Sequence, residues 1–199
     1  MVNENRFKYF VINKPYGYLS QFTPEGKFKG LGELYNFPKD VYPVGRLDGD
    51  SEGLLILTND TAINQKLLQP KNAHARAYWT QIEGVIKKEQ VAKLMEGVDI
   101  NAKGKIHHVR ALSAKILTEP EIWQRVPPIR FRKNIPTAWM EIAISEGKNR
   151  QVRKMTAAVN LPTLRLIRFR LGNLTIEHLK GKTVMEMEGD ILKELIFNN

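Results

Sequence analysis

The sequence contains no cysteine in 199 residues, which excludes disulfide bonds and thiolate metal sites. No apolar run approaches the roughly 18 residues of a membrane-spanning helix, and residues 1–8 lack the apolar segment of a signal peptide. We therefore expect a soluble, cytoplasmic protein. Acidic residues are also scarce, since 21 Asp and Glu oppose 31 Lys and Arg, and the formal net charge is +10. This balance favours a polyanionic partner, with nucleic acid first and an acidic membrane second.

The positive charge is concentrated in one part of the chain. Residues 125–170 contain eleven basic residues and two acidic ones, a net charge of +9. Solvated surface faces are the simpler interpretation of any one charge run, but a segment this one-sided favours a nucleic-acid footprint. The residues of this segment that we predict to contact nucleic acid are Arg130, Arg132, Lys133, Asn149, Arg150, Arg153, Lys154, Arg165 and Arg168.

Apolar periodicity and turn signals divide the chain into strands and helices. The predicted strands are 7–13, 54–57, 75–84, 109–117, 137–145, 164–171 and 174–177. The predicted helices are 31–37, 60–68, 87–96, 148–159 and 190–197. This mixture predicts an α+β fold with a mostly antiparallel or mixed central sheet and flanking helices. We expect one domain over residues 1–199, with two subdomains that share the sheet.

An acidic cluster at residues 48–53 precedes a short apolar run that is typical of a buried strand. Its first half resembles a calcium loop, but position 12 is Asn59 where such a loop has glutamate. Asp48 and Asp50 could also serve as a carboxylate pair for acid–base chemistry, although such pairs usually come from separate elements. The third interpretation is structural, in which Asp50 and Glu52 support the turn. Asp48 is the stronger candidate for a functional role.

The helix predicted from Lys148 supplies a partner for Asp48. Val152, Met155 and Val159 form its apolar stripe, and the phase of Lys148 matches that stripe. The side chain of Lys148 should therefore point inward, where a lysine needs a carboxylate partner. Asp48 is the obvious candidate. Arg150, Arg153 and Lys154 lie on the opposite side of the helix and form a basic face suited to phosphates.

Segment 45–55 resembles the signature of the ribosomal RNA pseudouridine synthases of the RsuA family. Segments 13–17, 76–84 and 146–155 resemble three further motifs of that family, in the same order, and 164–168 follows. The resemblance covers about residues 7–188. Family members often carry an N-terminal S4 domain, which we expect to be absent here because the catalytic pattern begins within ten residues of the start. Segments 127–130 and 135–139 resemble the E-type subfamily, which acts on the large-subunit 23S RNA.

The resemblance implies the pseudouridine synthase fold, a basic active-site cleft and cofactor-free isomerisation of uridine to pseudouridine in ribosomal RNA. Asp48 matches the catalytic aspartate, which attacks the sugar, attacks the base or abstracts a ribose proton. Tyr78 matches the tyrosine that lies on the target base, and Arg46 the arginine that fills the space of the flipped nucleotide. Lys148 matches the cation paired with the aspartate, where many relatives have arginine and hence a bidentate fork. Lys14 and Arg76 belong to matching motifs and complete the predicted RNA contacts.

Two rival functions stay open at this stage. The first is a catalytically silent factor that binds ribosomal RNA or assists ribosome assembly, although Asp48, Tyr78 and Lys148 are all present. The second is a synthase directed at transfer RNA or at small-subunit RNA, which the motifs do not distinguish. In every case we expect a monomer without a metal ion.

Overall fold

The computed structural model describes residues 7–68, 74–130 and 132–198. Within these ranges the chain forms eleven β-strands and four α-helices. The strands are β1 (Tyr9–Lys14), β2 (Tyr42–Val44), β3 (Glu52–Thr58), β4 (Arg76–Glu83), β5 (Val98–Ala102), β6 (Lys105–Val109), β7 (Ser113–Leu117), β8 (Thr137–Ile144), β9 (Thr163–Leu171), β10 (Leu174–Thr175) and β11 (Val184–Glu186). The helices are α1 (Thr61–Leu68), α2 (Lys88–Glu96), α3 (Gln151–Ala158) and α4 (Gly189–Phe197).

The chain divides into two compact units, and the first comprises Met1–His74 and Arg168–Asn199. Its strands follow the order β11-β1-β3-β9, with β2 also paired to β3 and β10 to β9. All seven residues of β3 are buried, as expected for the apolar run that follows the acidic cluster. Val11 of β1 lies opposite Ile56 of β3 in an antiparallel pair. The core of this unit therefore surrounds the strand that directly follows the acidic turn.

The second unit comprises Ala75–Ile167. Here β4 pairs along its whole length with β8, and β8 pairs with β7, both antiparallel. Tyr78 lies opposite Ile142 in this ladder. The β5–β6 hairpin packs against α3, and α2 packs against β7. The α+β class predicted from the sequence is confirmed.

The strand predicted at 109–117 is wrong as a single element. Val109 ends β6, where it pairs with Val98, and Ser113 begins β7, where it pairs with Ala143. Between them the amide of Ala111 donates to the carbonyl of Leu94, so the chain leaves the hairpin and joins the edge of the larger sheet. Strand β5 was not predicted, although its alternating burial matches an apolar pattern at every second residue.

No helix within the described ranges is both long enough and apolar enough to span a membrane.

Gly53, the second residue of β3, fixes how closely β9 approaches this strand. Its φ is +105°, and a Cβ there would lie 2.3 Å from the carbonyl oxygen of Arg168. Gly53→Ala therefore combines backbone strain with a backbone clash and should lower the free energy of unfolding by about 3 kcal/mol.

Gly84→Ala is the matched control, because Gly84 has a φ of +103° and no atom lies within 4 Å of the point that a Cβ would occupy. That variant should lose only about 1 kcal/mol in urea unfolding. Equal losses in the two variants would contradict the close approach of β9 to Gly53.

Candidate active site

Asp48 lies in the loop between β2 and β3, half-buried and four residues before Glu52. Hydrogen bonds on both sides fix this loop. The amide of Ser51 donates to the carbonyl of Asp48 over 3.0 Å, and the amide of Gly17 donates to the carbonyl of Gly49 over 2.8 Å. A carboxylate that precedes a buried strand and sits in a bonded turn is held in one place, as a catalytic group must be.

Ser20 fixes the residue on the other side of Asp48. The amide of Leu47 donates to Ser20 Oγ, and the same hydroxyl donates to the carbonyl of Leu47, both over 2.9 Å. Both side chains are buried. Because the two bonds hold the peptide groups on either side of Leu47, the backbone that enters Asp48 has little freedom to rotate.

Lys14, the last residue of β1, is a buried cation beneath this loop. Its exposed fraction is 0%. The ammonium donates to the carbonyl of Tyr18 over 2.6 Å and to that of Pro15 over 3.1 Å. The sequence predicted an RNA contact for Lys14, whereas the structure directs its donors to carbonyls of the protein itself.

Burial lowers the pKa of Lys14 to about 7, against the opposing effect of the carboxylates of Glu52, Asp50 and Asp48. The guanidinium of Arg168 lowers this pKa further. Glu52 is itself buried, with 1% exposure. Lys14 is thus the buried lysine among the described residues of the first unit, and the charges of all three carboxylates of the acidic cluster act on it. This arrangement supports the interpretation that Asp50 and Glu52 stabilise the turn.

Arg46 and Arg168 occupy contrasting positions in the first unit. Arg46 is exposed, two residues before Asp48. Arg168 has 6% exposure and donates from Nε to the carbonyl of Leu54 over 2.8 Å. Arg46 therefore presents a cation at the surface beside the candidate carboxylate, whereas Arg168 supports β3 from within.

Tyr78 lies on β4 in the second unit, with 7% exposure. Tyr78, Thr80 and Ile82 occupy every second position of β4 and so share one face of the strand. All three are buried, which confirms the predicted strand and its phase. Arg76, at the start of β4, is half-buried and donates to the carbonyl of Ser145 over 3.4 Å.

The helix predicted from Lys148 begins three residues later, at Gln151. Arg150 ends the preceding turn with φ 50° and ψ 35°, a left-handed conformation that no helix can contain. Lys148 therefore lies outside the helix, and the inward direction predicted for its side chain from a helical phase has no basis. Lys148 is part-buried, and its Nζ forms an ion pair with Glu146. The pairing of Lys148 with Asp48, which lie in different units, stays a prediction.

The predicted basic surface separates into buried and exposed members. Arg165 is buried and donates to the carbonyl of Trp123 over 3.0 Å, and Arg153 donates to the carbonyl of Thr163 over 3.0 Å. Arg132 forms a 2.9 Å salt bridge with Glu83. Lys154 is half-buried and donates to Asn149 over 3.0 Å. The remaining predicted contacts expose their side chains and comprise Arg130, Lys133, Asn149 and Arg150.

The sequence model of the RNA pseudouridylate synthase family matches residues 8–158 of the chain. The chain is 46% identical to ribosomal large subunit pseudouridine synthase E of Vibrio parahaemolyticus serotype O3:K6, over 89% of this chain and 72% of that protein. It is 45% identical to the protein of the same name in Xanthomonas axonopodis pv. citri, over 85% of this chain and 88% of that protein. Ribosomal large subunit pseudouridine synthase B of Bacillus subtilis is 31% identical, over 94% and 70% of the two chains.

Among solved structures, a crystal structure of a pseudouridylate synthase shares the fold with a TM-score of 0.74 at 21% identity, over 96% of this chain and 74% of that one. The chain therefore belongs to the RNA pseudouridylate synthase family. This result confirms the predicted family, its fold and its class of enzyme, an isomerase. The name shared by the Vibrio and Xanthomonas relatives agrees with the predicted resemblance to the E-type subfamily.

The depressed pKa of Lys14 predicts a pH dependence of stability. A lysine that titrates near 10.5 in the unfolded chain and at about 7 in the folded one takes up a proton on unfolding between these values. The contribution of Lys14 to the free energy of unfolding is therefore fully present above the pKa of the unfolded chain, near 10.5, and is lost as the pH falls through the folded-state pKa of about 7. Relative to Lys14→Met, the free energy of unfolding of the wild type should rise by about 2 kcal/mol from pH 7 to pH 9.

Urea unfolding at both pH values measures this difference, with Lys105→Met, at an exposed lysine of β6, as the control. Parallel pH dependences of the wild type and Lys14→Met would show that Lys14 keeps an ordinary pKa.

Proposed function

We propose that the chain converts uridine to pseudouridine in the 23S RNA of the large ribosomal subunit, with Asp48 as the catalytic carboxylate. The observation that carries this assignment is the position of Asp48. It is a half-buried carboxylate on a loop that is hydrogen-bonded at Leu47, Gly49 and Ser51, immediately before a fully buried strand. The names of the relatives in Vibrio and Xanthomonas support the large-subunit RNA as substrate.

The reaction needs a fixed anion because positive charge develops on the ribose when its bond to uracil breaks. The N-glycosidic bond breaks, the detached uracil rotates, and a bond forms between C5 and the ribose carbon, while C5 loses its proton and N1 takes up a proton. Asp48 serves the bond cleavage, either as nucleophile or as base. Tyr78, which matches the family's tyrosine, lies against the uracil. No other reactant is required, since the product is an isomer of the substrate.

A uridine in a paired RNA hides its glycosidic bond, so the nucleotide must first leave the stack at a cost of a few kcal/mol. Arg46 is suited to this step because it is exposed and only two residues from Asp48. Its planar guanidinium can stack on bases and bond to phosphates. We assign to it the space vacated by the flipped nucleotide.

The buried charges beneath the loop keep Asp48 in place. Lys14 lies close enough to Asp48, Asp50 and Glu52 for their charges to act on its ammonium, and a buried charge is costly unless an opposite charge is nearby. Lys14, Arg153, Arg165 and Arg168 thus act as internal supports in this proposal. Arg130, Lys133, Asn149 and Arg150 are exposed and form the candidate phosphate contacts.

A silent RNA-binding factor is the second candidate, on the same fold. The fixed carboxylate above a buried lysine favours the enzyme, because phosphate binding by surface cations needs no such loop. We further propose that the chain acts as a monomer in the cytoplasm and forms one catalytic domain. If large-subunit RNA is not modified, the alternative is a pseudouridine synthase that acts on transfer RNA or on small-subunit RNA.

Asp48→Asn should lower the rate of pseudouridine formation by at least about a thousandfold, because an amide can neither attack carbon nor take a proton. Release of tritium from RNA labelled at uracil C5 measures the rate. Binding of the same RNA should change by less than about twofold, since the phosphates are held elsewhere.

Asp50→Asn is the matched control, in the same loop and equally half-buried. It should retain most of the activity, because Asp50 supports the turn without touching the substrate. Full activity of Asp48→Asn, or equal loss in both variants, would contradict the assignment of Asp48.

Arg150→Gln should weaken RNA binding and reduce the slope of log K against log salt by roughly 0.7–0.9, the effect of one phosphate contact. Lys105→Gln removes the same charge from the exposed β6 strand of the same unit and should leave the slope nearly unchanged. Filter binding at several salt concentrations provides the comparison. If the two variants lose the same slope, the footprint does not include Arg150.

A further inference from the structure

A cavity of about 400 Å³ in the second unit lies outside the residues assigned to catalysis. The ends of β4 and β8, Leu164 of β9 and the loop before β8 form its walls. The lining residues include Gln81, Glu83, Arg130, Lys133, Asn134 and Leu164. Its volume falls within the range of roughly 300–1,000 Å³ typical of small-ligand sites.

This cavity opens on the opposite face of the sheet from Tyr78. Side chains alternate along a strand, and Tyr78, Thr80 and Ile82 share one face of β4. Gln81 and Glu83 therefore project from the other face, together with Thr137, which pairs with Glu83 in the register. The cavity is thus separate from the position at which Tyr78 would contact the target base.

Bonds to the end of β4 hold the loop wall of the cavity in place. The amide of Gly84 donates to the carbonyl of Pro136 over 2.7 Å, and the amide of Ile135 donates to the carbonyl of Arg132 over 3.2 Å. Arg132 in turn bridges to Glu83 at 2.9 Å. A site that is already formed before a ligand arrives spends less binding energy on ordering its own groups.

The chemistry of the lining fits one nucleotide. Arg130 and Lys133 are exposed cations at the rim, suited to a phosphate. Gln81 donates one Nε2 hydrogen to Thr137 Oγ1 over 3.3 Å, which leaves its second hydrogen and its carbonyl oxygen for a base edge, and Asn134 carries a second carboxamide. Ile129, Ile135 and Leu164 supply apolar surface for the face of a base or a ribose.

The charges of the cavity favour an anion. Arg132 is compensated by Glu83, whereas Arg130 and Lys133 add two positive charges, in a segment whose net charge is +9. We propose that this cavity is a second nucleotide subsite, which binds one unpaired nucleotide of the RNA that carries the target uridine. Its occupant is RNA only if the proposed function holds. The subsite would contribute to the choice of RNA through a nucleotide that is not itself modified.

Direct binding tests the cavity independently of activity. Uridine 5′-monophosphate titrated into ¹⁵N-labelled protein should shift the side-chain amide resonances of Gln81 and Asn134, whereas the amide of Gln124, exposed in the same loop but outside the lining, should not move. Inorganic phosphate should leave both lining amides in place. Equal shifts with phosphate and with the nucleotide would overturn the proposed base contacts.

A second experiment measures RNA binding by Asn134→Ala, a substitution at an exposed loop position, with Gln124→Ala as the control. Asn134→Ala should raise the Kd for a 23S RNA transcript about fivefold, as expected for the loss of a hydrogen bond, and leave kcat unchanged at saturation. An unchanged Kd, with active wild-type enzyme, would overturn the subsite. If instead the amides shift but the wild type forms no pseudouridine, the cavity stands as a nucleotide site and the proposed function fails.

Discussion

The burial of the Lys14 side chain is the constraint on which the candidate site depends. An amine with no exposure loses its hydration, which only hydrogen bonds and nearby opposite charges can replace. Two carbonyls and the carboxylates of Glu52, Asp50 and Asp48 replace part of it, and the remaining cost of burial lowers the pKa of Lys14. Because these three carboxylates belong to one short loop, the same interaction that stabilises a buried lysine also fixes the position of Asp48 before β3.

Among the described residues, three basic side chains besides Lys14 also act within the protein and do not simply point into solvent. Arg168 supports β3 through the carbonyl of Leu54, and Arg153 and Arg165 bind carbonyls within the second unit. A net charge of +10 therefore overstates the phosphate-binding surface. In our proposal, exposed cations beside the loop and in the second unit, such as Arg46, Arg130 and Arg150, are the candidate contacts for an RNA backbone. On this proposal, internal support and RNA binding are assigned to different arginines.

The α+β class, the buried strand after Asp48 and the phase of Tyr78 could be predicted from the sequence because each rests on a local apolar pattern. Lys148 could not be placed, because the left-handed Arg150 that delays the helix has no sequence signal of its own. The burial of Lys14 had a signal that was overlooked, since strand alternation places it on the same face as Phe10 and Ile12. The short strands β2 and β11 depend on pairing with β3 and β1, which no local pattern reveals.

The central claim is that this fixed carboxylate modifies a uridine of large-subunit RNA. Mapping pseudouridines across all stable RNAs, in cells with and without the gene for this chain, tests that claim most directly. We expect the loss of pseudouridine at a defined position of 23S RNA, restored by the wild-type chain and not by Asp48→Asn. An unchanged 23S map, or a loss confined to transfer RNA or small-subunit RNA, would contradict the claim.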